Sequence, residues 1–246
     1  MPHVLLLRFN APMQSWGISS RFSNRDTAKE PSRSGVIGLL CAALGISRDE
    51  ANETNKLFLK MKKLKMCVRV LREGIVETDY HTAQKVAIAS SEIKVTKKID
   101  TKDTELSKRQ YLANADFLVG LGSEDLQLLE KLQNALKKPK WQLFLGRKAF
   151  VPAEPVYFEK AGLQSGDGET VLREFEIESQ SKEQRLIIED ESGNEVRQDV
   201  PLDFANRRFS IRRVRTDFLH LKEVEKDDGN ISDEDDSESE MQASAV

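Results

Sequence analysis

The stretch PSRSGVIGLLCAALG, residues 31–45, limits the fold more than any other part of the chain. From Gly35 to Leu44 no polar side chain interrupts it. A helix without a polar face has to be covered on every side, so it must lie against a sheet and beside a second element. Ser32 and Ser34 both suit an N-cap, and Gly45 suits a left-handed C-cap. The apolar run HVLLLRF (3–9) reads as a buried first strand, and a loop of 22 residues (10–31) separates it from the helix. A connection that long inside a compact domain is usually functional.

A glycine-spaced helix start raises the question of a phosphate. Free N–H groups and the helix dipole attract anions. The sequence SRSGVIG lacks the Gly-Lys-Ser/Thr ending of a P-loop, and it is not the GxGxxG dinucleotide pattern. Two readings stay open. Gly35 and Gly38 let the helix pack closely, or Arg33, Ser34 and the amide of Gly35 hold a phosphate.

The rest of the chain alternates strand and helix signals. Asp49–Lys60 reads as an exposed helix, Leu64–Gly74 as a strand, and Ile75–Asp79 as its return partner. The Lys- and Thr-rich segment that follows DYHT is poor in core residues and reads as an inserted hairpin. YLANADFLVGLG (111–122) reads as a strand. Ser123 is the expected cap of a helix with a Leu126, Leu129, Leu132 and Leu136 stripe, which Pro139 stops. WQLFLGRK reads as the fourth strand. The order β-α-β-(insertion)-β-α-β is the split βαβ signature. The fold class expected is therefore α+β: a ferredoxin-like, RRM-like βαββαβ palm (1–150) with a thumb insertion at about 80–110. A small antiparallel β region (151–223) and an acidic tail (224–246) follow.

Charge separates the tail from the body. The net charge is −3, and the segment 224–246 holds nine acids and one lysine, or −8. The remainder carries −3 + 8 = +5. A mildly basic body fits a polyanionic partner. The tail lacks aromatics and periodicity, so it is expected to be disordered. It either screens the basic body against nonspecific RNA or acts as a solubilising appendage. No apolar run approaches the ~20 residues of a membrane span, so no membrane partner is expected, and the start MPHVLLLRFN does not read as a signal peptide. Cys41 and Cys67 lie in apolar contexts without metal-ligand spacing and read as reduced core residues, which points to a cytoplasmic location.

Several side chains are candidates for contact with nucleic acid. Trp16, beside Gln14 and among Arg21 and Arg25, either stacks on an unpaired base or plugs a seam in the core. Arg147 and Lys148 follow a glycine. The run RRFSIRRVR is either a solvated face or a polyanion stripe. Tyr80, His81 and Lys85 offer the residue types of metal-independent RNA cleavage, with His81 as acid or base. His81 reads more simply as a binding or structural residue. Neither HExxH nor CxxC occurs, so no metal or other cofactor is expected.

The combination of APMQSWG, SRSGVIGLLCAALGISRDE, DYHT, QYLANADFLVGL and KPKWQLFLGRK resembles the CasD-type subunits of the type I-E CRISPR Cascade complex. The resemblance covers residues 1–150, with ANRRF a trace beyond. It implies a non-catalytic subunit that caps the 5′ handle of the CRISPR RNA between palm and thumb. CasC and CasA are the implied protein partners. It places RNA contacts on Gln14, Trp16, Arg33, Ser34, Gly35, Tyr80, His81 and Arg147, to which Arg25, Arg109, Tyr111 and Lys148 are added. In type I-C systems the related subunit is itself the CRISPR-RNA endoribonuclease, so repeat-RNA cleavage is the alternative activity.

Overall fold

The computed structural model describes residues 1–17, 23–87, 101–178 and 181–221. The distal part of the expected insertion (88–100), Arg21 and the acidic segment 224–246 lie outside the described residues. The chain is a mixed α+β protein built mostly of strands. Its main sheet has seven strands in the order β10-β11-β9-β4-β7-β1-β8. These are β1 (His3–Asn10), β4 (Lys65–Arg72), β7 (Asp116–Ser123), β8 (Leu163–Ser165), β9 (Glu183–Glu189), β10 (Glu195–Asp203) and β11 (Arg208–His220). Each neighbouring pair is antiparallel.

Strand β1 is apolar without interruption because both of its faces are covered. Leu5, Leu7 and Phe9 join the cluster under helices α1 (Arg33–Leu44) and α3 (Leu126–Lys137). Val4 and Leu6 join the opposite cluster, with Cys67, Leu172 and Ile188. The second cluster lies under the short helix α4 (Gly168–Glu174), whose terminal carbonyls would otherwise be orphans. Buried Arg69 closes that end, donating Nη1 to the carbonyls of Leu172 and Phe175 at 2.8 Å each. Burial pushes its guanidinium below the ordinary value.

Helix α1 is covered as its composition demands. Ser32 is the N-cap, accepting from the Gly35 amide, and Gly45 closes the helix at φ 73°. Gly35 is needed for close approach: a Cβ there would lie 2.8 Å from the Trp16 ring. Helix α3 starts one step later than expected. Asp125 is its N-cap, accepting from Leu128, while the Ser123 hydroxyl accepts from the Asp125 amide. Its buried stripe is Leu128, Leu129, Leu132 and Leu136, and Leu126 is exposed.

Several expected elements differ from those observed. The exposed helix over 49–60 shrinks to α2 (Lys56–Met61), because Asn55 caps it with its side chain. The return partner of β4 is not Ile75–Asp79. That segment opens β5 (Ile75–Ala87), which pairs throughout with β6 (Thr101–Ala113) as a long ribbon. Gly74 makes the crossing from sheet to ribbon, where a Cβ would sit 2.8 Å from that of Ala115. The single strand read over 111–122 is two, β6 and β7, broken at Asn114 with φ 57°. WQLFLGRK forms no strand, and the position beside β1 is taken by β8. Strands β9–β11, from the region expected as a separate small sheet, continue the main sheet from the edge of β4.

Candidate nucleic-acid interface

The candidate residues sort into two sets, one buried and one gathered on the ribbon. The helix start belongs to the first set, and its anion is internal. The Arg33 amide donates to Asp199 Oδ2 at 2.7 Å, so a carboxylate from β10 occupies the N-terminus of α1. Arg212 holds that carboxylate through Nε at 2.8 Å and Nη2 at 3.0 Å. The Arg33 side chain turns inward and is only 5% exposed. Its Nη1 meets Glu189 at 2.5 Å, and its Nη2 donates to the carbonyls of Lys62 (2.6 Å) and Leu64. Ser34 Oγ lies 3.4 Å from Ser32 Oγ. The structure thus assigns Arg33, Ser34 and Gly35 to holding α1 in place.

Gln14 and Trp16 are also core residues. Trp16 is 2% exposed, with its ring stacked on Phe9 at 5.4 Å. Its Nε1 donates to Gln14 Oε1 at 3.2 Å, and Gln14 Nε2 donates to the carbonyls of Phe9 and Ala115 at 2.8 Å each. The ring faces that were candidates for a base are covered by protein. The seam-plugging reading fits instead.

A cavity of about 470 Å³ opens beside the α1 start, lined in part by Ser32, Ser34, Arg185, Asp199 and Arg212. Its cations are paired within the chain. Glu30 receives Arg185 at 3.0 Å and Arg197 at 3.1 Å, and Arg212 is committed to Asp199. The basic run on β11 is neutralised in the same way, with Arg215 bonded to Glu169 and to Asp190 at 3.1 Å.

The second set converges where the ribbon meets the loop after β1. Strand β2 (Met13–Gln14) pairs antiparallel with the end of β6, and β3 (Asn24–Arg25) pairs parallel with its middle. Arg25 stands opposite Arg109. The LGRK loop closes in from the side: the Ser15 amide donates to the Leu145 carbonyl at 3.0 Å. Gly146 permits this contact. Its φ is 98°, and a Cβ would lie 1.8 Å from the Ser15 carbonyl oxygen. Arg147 is thereby held over the Phe150 ring at 5.2 Å, and its Nη2 donates to the Gln110 carbonyl at 2.7 Å. Phe150 in turn meets Tyr111 at 5.8 Å.

Side-chain alternation decides what shares this surface. Arg109, Tyr111 and Ser107 point to one face of the ribbon, with their partners Asp79, Glu77 and His81. Arg109 Nε donates to Ser107 Oγ at 2.8 Å. Tyr80 and Lys108 point to the other face, and Tyr80 is exposed. Burial, then the charges of Arg109 and Arg25, push the Arg147 guanidinium below its ordinary value, and Asp79 opposes them. An adjoining cleft of about 330 Å³ is lined by Asn24, Arg25, Asp26, Thr78, Lys108 and Gln110. Arg25, Lys108, Arg109, Arg147 and exposed Lys148 exceed Asp26, Glu77 and Asp79 by two positive charges.

This arrangement can bind a phosphodiester backbone. Clustered guanidiniums are destabilised by one another, and an anion relieves that repulsion. It is poorly arranged for cleavage. Tyr80 and His81 face opposite sides of the ribbon, and His81 Nδ1 lies 3.4 Å from Asp79. Sequence reasoning named Arg25, Arg109, Tyr111, Arg147 and Lys148 but missed Lys108, whose one signal was its place in SKRQ beside Arg109.

The same frame occurs in known proteins. A family model described as "CRISPR-associated protein (Cas_Cas5)" matches residues 4–215. A sheet-built protein with a cationic ribbon base is thus placed in a class, and the chain belongs to the Cas5 family of CRISPR-associated proteins. It is 30% identical over 183 residues to the CRISPR system Cascade subunit CasD of Escherichia coli (strain K12), covering 72% of this chain and 78% of that one. Among solved structures, one described as a Cas protein matches with a TM-score of 0.68 at 36% identity, over 88% of this chain and 95% of the other. A chain from a CRISPR RNA-guided surveillance complex matches with a TM-score of 0.69 at 33% identity, covering 89% and 90%.

Proposed function

We propose that this chain is the CasD-type subunit of a type I-E Cascade complex, a non-catalytic CRISPR RNA-binding protein that grips the 5′ handle. Its palm is ferredoxin-like: the order β8-β1-β7-β4, crossed by α1 and α3, supports that assignment. The handle lies at the base of the thumb, the β5–β6 ribbon. The observation that carries this reading is the convergence of Arg25, Arg109 and Arg147 at one junction, fixed by the glycine-only contact of Gly146. CasC lies against the thumb and CasA beside the body. The work is done in the cytoplasm, and binding needs no metal, because the chain's own arginines meet the phosphates.

Binding of a labelled handle-sequence oligoribonucleotide, titrated at several salt concentrations, tests the proposal. Each phosphate contact contributes a slope of about −0.7 in log K against log salt for a single strand. Arg109→Glu with Arg147→Glu weakens binding and flattens the slope by at least one such step. An unchanged slope overturns the assignment of the site. Metal-independent cleavage of repeat RNA by the chain alone, lost in His81→Ala, overturns the non-catalytic reading.

A further inference from the structure

We infer that the acidic C-terminal segment is an internal competitor for the cationic cleft, covering Arg25, Lys108, Arg109 and Arg147 until RNA displaces it. The inference rests on the reading of that cleft as the RNA site and adds its regulation.

The first observation is where the described chain ends. His220 stands opposite Glu183, and Leu186 stands opposite Arg69, so β11 finishes beside the Arg72 end of β4. Arg72 lies opposite Asp116, and Asp116 opposite Asn10. The C-terminal segment therefore departs from the end of the sheet where β1 gives way to the loop bearing Gln14–Arg25. At that same end the chain crosses from β4 into the ribbon that bears Arg109. Strand β11 is three places from β7, in the order β11-β9-β4-β7. At ~4.8 Å per strand this is about 14 Å.

The second observation is reach. Glu225, the first acid of the segment, is five residues beyond His220. Five extended residues span roughly 16–18 Å. The acids from Glu225 to Glu240 can therefore stand anywhere over the junction.

The third observation is charge. The segment carries −8. The arginines nearest its root are already satisfied by the chain, since Arg173 and Arg215 bond Glu169 and Asp217, and Arg185 bonds Glu30 and Glu73. The ribbon junction instead holds an excess of cations that push one another's charge down, as Arg147 records. A tethered polyanion acts at an effective concentration near the millimolar range, enough for weak contacts to occupy a site.

The test uses the full-length chain. Zero-length carbodiimide coupling joins carboxylates to lysines, and Lys108 and Lys148 flank the site. Mass spectrometry is expected to find peptides of 224–246 coupled to Lys108 or Lys148, and these products should vanish when an oligoribonucleotide is added. In parallel, the nine acids of 224–246 are changed to Asn or Gln. Low-salt affinity of the free subunit for single-stranded RNA should then rise about tenfold, the reciprocal of the open fraction of the site. Unchanged affinity together with no coupling to either lysine overturns the inference. If Arg109→Glu with Arg147→Glu leaves RNA affinity unchanged in the neutralised-tail background, the cleft itself is not the RNA site, and the reading beneath the inference fails separately.

Discussion

Trp16 separates a core role from an RNA role more sharply than any other residue. Its ring is 2% exposed, stacks on Phe9, touches the position a Gly35 Cβ would occupy, and donates to Gln14. Trp16→Ala removes a buried aromatic, which costs about 3–5 kcal/mol. It also leaves Gln14 Oε1 without that donor, a further ~1–3 kcal/mol. The sum is comparable with the whole stability of many domains, so this variant is expected to unfold or nearly so. Trp16→Phe keeps the stacking and loses the N–H, and should cost about 2–3 kcal/mol from the unpaired oxygen and the smaller ring. The assay is paired: urea unfolding for stability, and RNA titration at two salt concentrations on the folded variant. The expected result is a lowered midpoint with RNA affinity and salt slope unchanged. A base-stacking tryptophan gives the opposite pattern, with about 1–3 kcal/mol lost from RNA binding on removal of the ring. Full stability with weakened RNA binding in Trp16→Phe would refute the core assignment.

Other outcomes follow from the same geometry. Gly146→Ala meets the Ser15 carbonyl at a φ of 98°, so it should shift the LGRK loop and lower both thermal stability and RNA retention. Arg33→Glu should cost about 3–5 kcal/mol, because it sets two carboxylates against each other in a buried site, and the loss should appear in urea unfolding rather than as a selective RNA defect. Burial pushes the Cys41 thiol up to about 12 and that of Cys67 to about 11. Folded thiols thus keep their protons where unfolded ones lose them, so this contribution holds below about pH 8.5 and declines as pH rises toward 11–12. At pH 8 iodoacetamide should modify neither cysteine until denaturant is added.

The sequence made some of this legible and hid the rest for physical reasons. The apolar start of β1 and the faceless helix α1 declared a covered layer, and Ser32 and Gly45 marked the helix ends, because these are local choices. What escaped was non-local. Whether Ile75–Asp79 pairs back on β4 or runs into a ribbon depends on Gly74 and the approach of Ala115, 41 residues apart. Arg33 and Arg212 read as phosphate-binding arginines, and no sequence pattern shows that Glu189 and Asp199 arrive to claim them. Trp16 was open between two roles for the same reason. By contrast Arg109, Tyr111 and Arg147 were identified correctly as residues near one another, since the ribbon's register and the glycine before Arg147 bring them to one junction.

The central claim is that the ribbon base holds the CRISPR RNA. The most direct measurement is to co-express the tagged chain with its neighbouring operon products and a matching CRISPR array, then sequence the RNA that co-purifies. We expect mature RNA with a uniform 5′ handle, and its loss in the Arg109→Glu, Arg147→Glu variant while the protein remains folded. Equal recovery of that RNA by the variant would contradict the account.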